Sequence, residues 1–98
     1  NENNMAQIAT SELLIDNNDI RIMKWIFQPN QTTGVHKHNY DYVVVPSKSG
    51  QLKIISGDET IISDLVIHEP YHRKKGVIHE VIYEGSSSME FIEIEIKS

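Results

Sequence analysis

Two histidines two residues apart carry the first chemistry of this chain: His36 and His38, in Gly34-Val35-His36-Lys37-His38-Asn39-Tyr40-Asp41-Tyr42. On a β-strand, residues at this spacing project from the same face, so the pair can address one ion. Imidazole ligates zinc, iron, copper and nickel. Two parallel imidazoles make half a site, and a third donor must come from elsewhere. His79, in Gly76-Val77-Ile78-His79-Glu80-Val81-Ile82, is the best choice because it too lies in a β-branched run. Alone, a His-x-His pair reads as half-exposed strand residues. Three histidines in strand-like settings favour a metal or ligand pocket.

The facing of the residues after His38 depends on the turn. If Asn39-Tyr40 is a two-residue hairpin loop, His38 and Asp41 flank it and face the same way. Asp41 is then a fourth ligand or a carboxylate that orients an imidazole. A three-residue loop brings Tyr42 inward instead and turns Asp41 out. A type I′ turn needs positive φ at both loop residues, which Tyr40 tolerates poorly. The obvious role of a carboxylate beside imidazoles still tips the reading slightly toward Asp41. Against both stands a plain turn aspartate bonded to its own backbone.

The elements that must position these residues are strands. Ser11–Ile15 reads as a short strand or a turn of helix, ended by Asp16-Asn17-Asn18-Asp19. Ile20–Phe27 is a strand with Trp25 and Phe27 on one parity, stopped by Pro29-Asn30. After the histidine segment come strands at Asp41–Val45, closed by Pro46, at Gln51–Ile55, at Thr60–Ser63 and at Val77–Tyr83. Asp64–Lys75 is connecting chain, and its basic cluster Arg73-Lys74-Lys75 reads as a solvated turn. In the last strand, Met89–Lys97, Ile92, Ile94 and Ile96 read as the buried face, with Glu93, Glu95 and Lys97 solvated. No helical period is sustained. Many short strands with Gly, Asn and Ser punctuation predict an all-β sandwich or small barrel.

Ninety-eight residues fit a single domain, 1–98, with about the first ten a disordered or extended N-terminal segment. Nine basic against fourteen acidic residues leave a net charge of −5, which opposes nucleic-acid binding. No stretch is long and apolar enough for a membrane span or a signal-peptide core. With no cysteine, disulfides and thiolate metal sites are excluded. The expected compartment is the cytoplasm.

With its histidine segments on strands of one barrel, the chain resembles the cupin superfamily. That family's first motif carries His-x-His followed by a Glu, and its second carries Gly-x-x-His; His36-Lys37-His38 and Gly76-Val77-Ile78-His79 match those parts. The likeness is closer to a group of small single-domain bacterial cupins, some associated with β-alanine degradation. The matching segments are Asp41-Tyr42-Val43-Val44-Val45-Pro46, Pro70-Tyr71 and the ending Glu90–Lys97. The family's Glu is replaced here by Tyr42 or Val43, depending on loop length, and Asp41 lies one residue short.

The resemblance implies a double-stranded β-helix, or jelly roll, with His36, His38 and His79 around a divalent ion such as zinc, iron, manganese or nickel. It also implies a small-molecule ligand and a homodimer formed through edge strands or sheet faces. The Met89–Lys97 or the Ile20–Phe27 strand would supply such an edge. The leading expectation is a metal-dependent oxygenase, isomerase or lyase acting on a small organic acid. In it Asp41 would be a base, and Tyr42 or Tyr83 a hydrogen-bond donor. The alternative is a non-catalytic cupin, a sensor or carrier of a metabolite or metal.

Overall fold

A computed structural model describes residues 7–97. The N-terminal residues 1–6, to which the expectation of a frayed terminus mainly applies, lie outside them. Nine strands follow in order: β1 (Thr10–Asp16), β2 (Ile20–Phe27), β3 (His36–Lys37), β4 (Asp41–Pro46), β5 (Gly50–Ser56), β6 (Glu59–Leu65), β7 (Tyr71–Arg73), β8 (Ile78–Ile82) and β9 (Met89–Ile96). Two antiparallel sheets face each other, one ordered β1-β2-β9-β4-β7 and the other β3-β8-β5-β6. Among the described residues no helix is long and apolar enough to cross a membrane.

Local chemistry sets the turns. The Asn17 side-chain oxygen accepts the N–H groups of Asp19 and Ile20 at 2.9 and 3.0 Å, an Asx turn that closes the β1–β2 hairpin. Gly57, at φ 59°, supplies the left-handed residue of the tight β5–β6 turn. Ile8 already bridges to Thr32, and Ala9 is buried, so the chain enters the fold just ahead of β1.

The core lies between the sheets. Trp25 and Phe27 both face inward from β2, as their shared parity predicts, and the Phe27 ring packs 5.7 Å from that of Phe91. Phe27, Leu52 and Met89 are essentially without exposure. Each such burial contributes on the order of 2 kcal/mol.

Four expectations are corrected. Asn39-Tyr40 is no hairpin loop, because β3 and β4 belong to different sheets and the chain crosses between them there. Neither residue has positive φ. Second, β9 faces the other way: Met89, Phe91 and Glu93 are buried within, whereas Ile92, Ile94 and Ile96 lie on the outer surface. Third, neither β2 nor β9 is an edge. β9 pairs with β2 on one side and β4 on the other, and β2 is covered by β1. Fourth, Tyr71–Arg73 is a strand paired with β4, so only Lys74 and Lys75 of the basic cluster belong to the turn.

Candidate metal centre

The site is built on the β3–β8 pairing, in which His36 lies directly opposite His79. His38 sits just past β3 but stays in the same ladder. Its N–H donates to the Val77 carbonyl at 2.9 Å, and its own carbonyl accepts from Gly76 N–H at 2.8 Å. Gly76 holds φ at 98°, a conformation that costs glycine little. The two-residue spacing then brings His36 and His38 to one face. The Nε2 atom of His38 is 3.1 Å from that of His36 and 3.0 Å from that of His79.

The protonation of the three rings suits a cation. His36 Nδ1 lies 3.0 Å from the Gly34 carbonyl oxygen. That oxygen can only accept, so the proton is on Nδ1 and Nε2 offers a lone pair. Burial, and then the neighbouring imidazoles, push His38 down to about 4; burial and His36 do the same to His79. Both rings are neutral at pH 7 and need shed no proton to bind an ion. Two nitrogens on an ion with bonds of about 2.1 Å stand about 3.0 Å apart at a right angle and about 3.4 Å apart at a tetrahedral one. The two spacings about His38 match the right angle, and all three donor atoms lie within 4.8 Å of one another, close enough to hold one ion.

His38 Nδ1 is buried without a partner among the described residues. Its ring is oriented instead by stacking on Tyr42, with centroids 3.9 Å and planes 17° apart. Tyr42 therefore takes the inward position where the cupin pattern has Glu.

A carboxyl group arrives from another strand. Glu93 Oε2 lies 3.8 Å from His38 Nε2, and its Oε1 accepts from Trp25 Nε1 at 3.4 Å. The separation is within ion-pair range, but burial keeps His38 unprotonated. Burial, and then Glu95, raise Glu93 to about 7. The contact is a carboxyl beside a neutral ring, not an ion pair. With His38 and Glu95, Glu93 also forms a second group of donor atoms close enough together to hold an ion. Glu93 stands where it can exchange a proton with a molecule held between itself and the histidines.

Of the other residues singled out in the sequence, Asp41 does not join the histidines. Its carboxylate turns to the rim and accepts the Lys75 N–H at 2.9 Å, and that bond, with the nearby lysines, holds it below its usual range. The reason is the crossing between sheets, which puts Tyr42 rather than Asp41 on the inner parity. Tyr83 shares the inward parity of His79 but lies two steps on, with its hydroxyl 3.4 Å from Ser87 Oγ. It does not line the cavity at the histidines. Glu93, Tyr71 and Arg73 do line that cavity, together with His38, His79 and Tyr42. Sequence reasoning missed all three. The signal for Glu93 was there, since Met89 and Phe91 share its parity.

No family model matches the sequence. A β-alanine degradation protein, BauB, from Pseudomonas aeruginosa is 37% identical over 89 residues, which span 91% of this chain and 94% of the relative. A crystal structure of a cupin domain from Bordetella pertussis superposes with a TM-score of 0.91 at 37% identity, covering 93% of this chain and 95% of that one. An uncharacterised Klebsiella pneumoniae protein with a double-stranded β-helix domain superposes at 0.75 with 19% identity, over 92% of this chain and 77% of its own, a likeness of fold alone. Two facing antiparallel sheets, three converging histidines and a relative matched nearly end to end lead to one assignment: the chain belongs to the cupin superfamily.

Proposed function

We propose that this cupin binds a divalent ion (zinc, iron, manganese or nickel) through His36, His38 and His79 and acts on a small organic acid. The observation that carries this reading is the approach of three imidazole Nε2 atoms, His38 lying 3.1 Å from His36 and 3.0 Å from His79. When bound, such an ion supplies Lewis-acid polarisation or an activated water.

The protein's own groups supply the rest. Glu93, raised to about 7, takes up and returns a proton near neutral pH. The Tyr42 hydroxyl, raised by burial to about 12, stays protonated in that range and can donate a hydrogen bond to a ligand. The name of the Pseudomonas relative fits a small-acid metabolite. Oxygenation, isomerisation and elimination all remain within reach of this arrangement, and the fold does not choose among them. A non-catalytic carrier or sensor is the second reading. It draws on Tyr42 occupying the position of the family's Glu ligand; metal-loaded protein without turnover would assign it.

The partner proposed is a second copy. The outer face of the five-stranded sheet carries Ile22, Ile94 and Val43 in one cross-strand row, with Ile20, Ile96 and Ile92 beside it. Apolar rows on an outer sheet face mark an interaction surface.

Native mass spectrometry with metal analysis tests both parts. The expected result is one divalent ion per chain, a mass of two chains, and a His79→Ala variant that keeps its fold but holds less than a tenth of the metal. Full occupancy in that variant, or wild-type protein that takes up none of the four metals, removes the metal reading. A one-chain mass at micromolar concentration removes the dimer.

A further inference from the structure

Beside the histidines is a cavity of about 130 Å³. Its walls include Leu52, Ile54, Val81 and Phe91, and Tyr42, Tyr71 and Arg73 lie together on the side that β4 and β7 provide. Tyr42 is paired with Arg73 across β4 and β7, and Val44 with Tyr71, so the three polar side chains are direct or diagonal neighbours on one face.

Arg73 is arranged to hold something. Its guanidinium lies 4.5 Å over the Tyr71 ring, and one Nη1 N–H is spent on the His72 carbonyl at 3.1 Å. Of five donors, the remainder have no acceptor among the described residues, and Arg73 makes no ion pair there. The hydroxyls of Tyr42 and Tyr71 also have no hydrogen-bond partner among the described residues. Arg73, exposed at the rim, and the Tyr42 and Tyr71 hydroxyls thus line one side of a largely apolar cavity with donors to spare, in a chain whose net charge is negative. That donor set matches a planar carboxylate, which the fork can grip with two parallel bonds.

The cavity sets the size of the ligand. A cavity of about 150 Å³ accepts benzene, so this one takes a molecule of about five or six heavy atoms. Its walls between Arg73 and the histidines are aliphatic or aromatic except for the buried Glu93, which lines the cavity beside His38.

We infer that Arg73, with the hydroxyls of Tyr42 and Tyr71, is the anchor for a short-chain monocarboxylate whose other end points at His38 and His79. This deepens the proposed function and rests on it in one respect, that the histidine end of the cavity is the reacting end. Arg73 acts as a specificity residue, fixing which part of the ligand reaches that end.

The test is an NMR titration of isotope-labelled full chain with butanoate, butanamide and inorganic phosphate, run metal-stripped and zinc-loaded. Butanoate is expected to shift the Arg73 Nε–H signal and the methyl groups of Leu52, Ile54 and Val81, and to saturate. Butanamide and phosphate are expected to bind at least tenfold more weakly. Arg73→Gln should lose at least tenfold in butanoate affinity with its methyl spectrum and zinc uptake intact, and Arg73→Lys should fall between. Tyr71→Phe keeps the ring under the guanidinium and should lose about threefold. Equal binding of butanamide or phosphate, or unchanged affinity in Arg73→Gln, overturns the inference. Butanoate bound at Arg73 by protein that takes up no metal supports it while removing the proposed function. Zinc bound with no butanoate response removes the inference alone.

Discussion

The two ends of the barrel interior are made by the same strands and behave oppositely. Along the inner face of β9, Met89 and Phe91 give way to Glu93 and Glu95; from Tyr83, just past β8, back along that strand, Val81 gives way to His79. Each inward step is about 7 Å of strand, so two steps separate a sealed apolar end from a polar one. At the first end Phe27, Leu52 and Met89 exclude solvent and gain from doing so. At the second, burial works against the charged forms of His38, His79 and Glu93, driving each toward its neutral state. Stability is concentrated at one end and chemical readiness at the other, with continuous backbone joining them.

Substitutions can break that division. The largest effect is expected from Phe27→Ala, which empties the centre of the apolar end and should cost about 3–5 kcal/mol by denaturant unfolding. Metal bound per folded chain should not change. A loss of metal in step with stability would show the two ends to be one unit.

Between pH 7.5 and 4, acid should act mainly at the polar end, since the lowered carboxylates Asp16 and Asp41 stay ionised there. In metal-free protein, folded His38 and His79 refuse protons that the unfolded chain accepts from about pH 6.5 down to about 4. Stability should therefore fall as pH drops through that window. Glu93 has the opposite sign. Raised to about 7 from 4.5, it binds its proton first in the folded state and adds stability as pH falls between those values. Glu93→Gln should remove that gain and steepen the acid loss; denaturant midpoints at pH 7.5, 5.5 and 4 decide, and a shallower loss would refute the assignment.

The smallest effect should come from Asp41→Asn. The amide oxygen can still accept the Lys75 N–H, and the residue lies at neither end of the interior. Zinc affinity by calorimetry should stay within twofold of wild type. A larger change would return Asp41 to the site.

The histidine triad was legible because strand parity and the Gly76-Val77-Ile78-His79 spacing are local features. The fold class was legible for a similar reason, in that turns and short alternating runs recur along the whole chain. What failed depended on partners. Whether Asp41 or Tyr42 faces inward is decided by which sheet each side of Asn39-Tyr40 joins, and adjacent residues do not encode that. Val43, Val44 and Val45 offer apolar side chains to both faces, so they gave no vote. In β9 the isoleucines outvoted Phe91 and Met89, although the latter pair fills the core. Arg73 was misread because a three-residue strand has too little alternation to separate it from the lysines after it.

The facing of β9 also bears on how the chain finds its native state. Strand alternation has a period of two, so a slip by one residue would turn Ile92, Ile94 and Ile96 inward and expel both glutamates. By hydropathy alone that frustrated arrangement is attractive, and it would leave the histidines without Glu93. Two features oppose it. β9 is clamped by ladders on both sides. At its start, Met89 fills space that exists because residue 50 is glycine; a Cβ there would meet the Met89 methyl at 2.5 Å. A one-residue shift would pull that methionine from its socket and seat Glu90 in its place. The Gly50–Met89 fit is thus a register lock, placed at the apolar end, that decides which side chains the polar end receives.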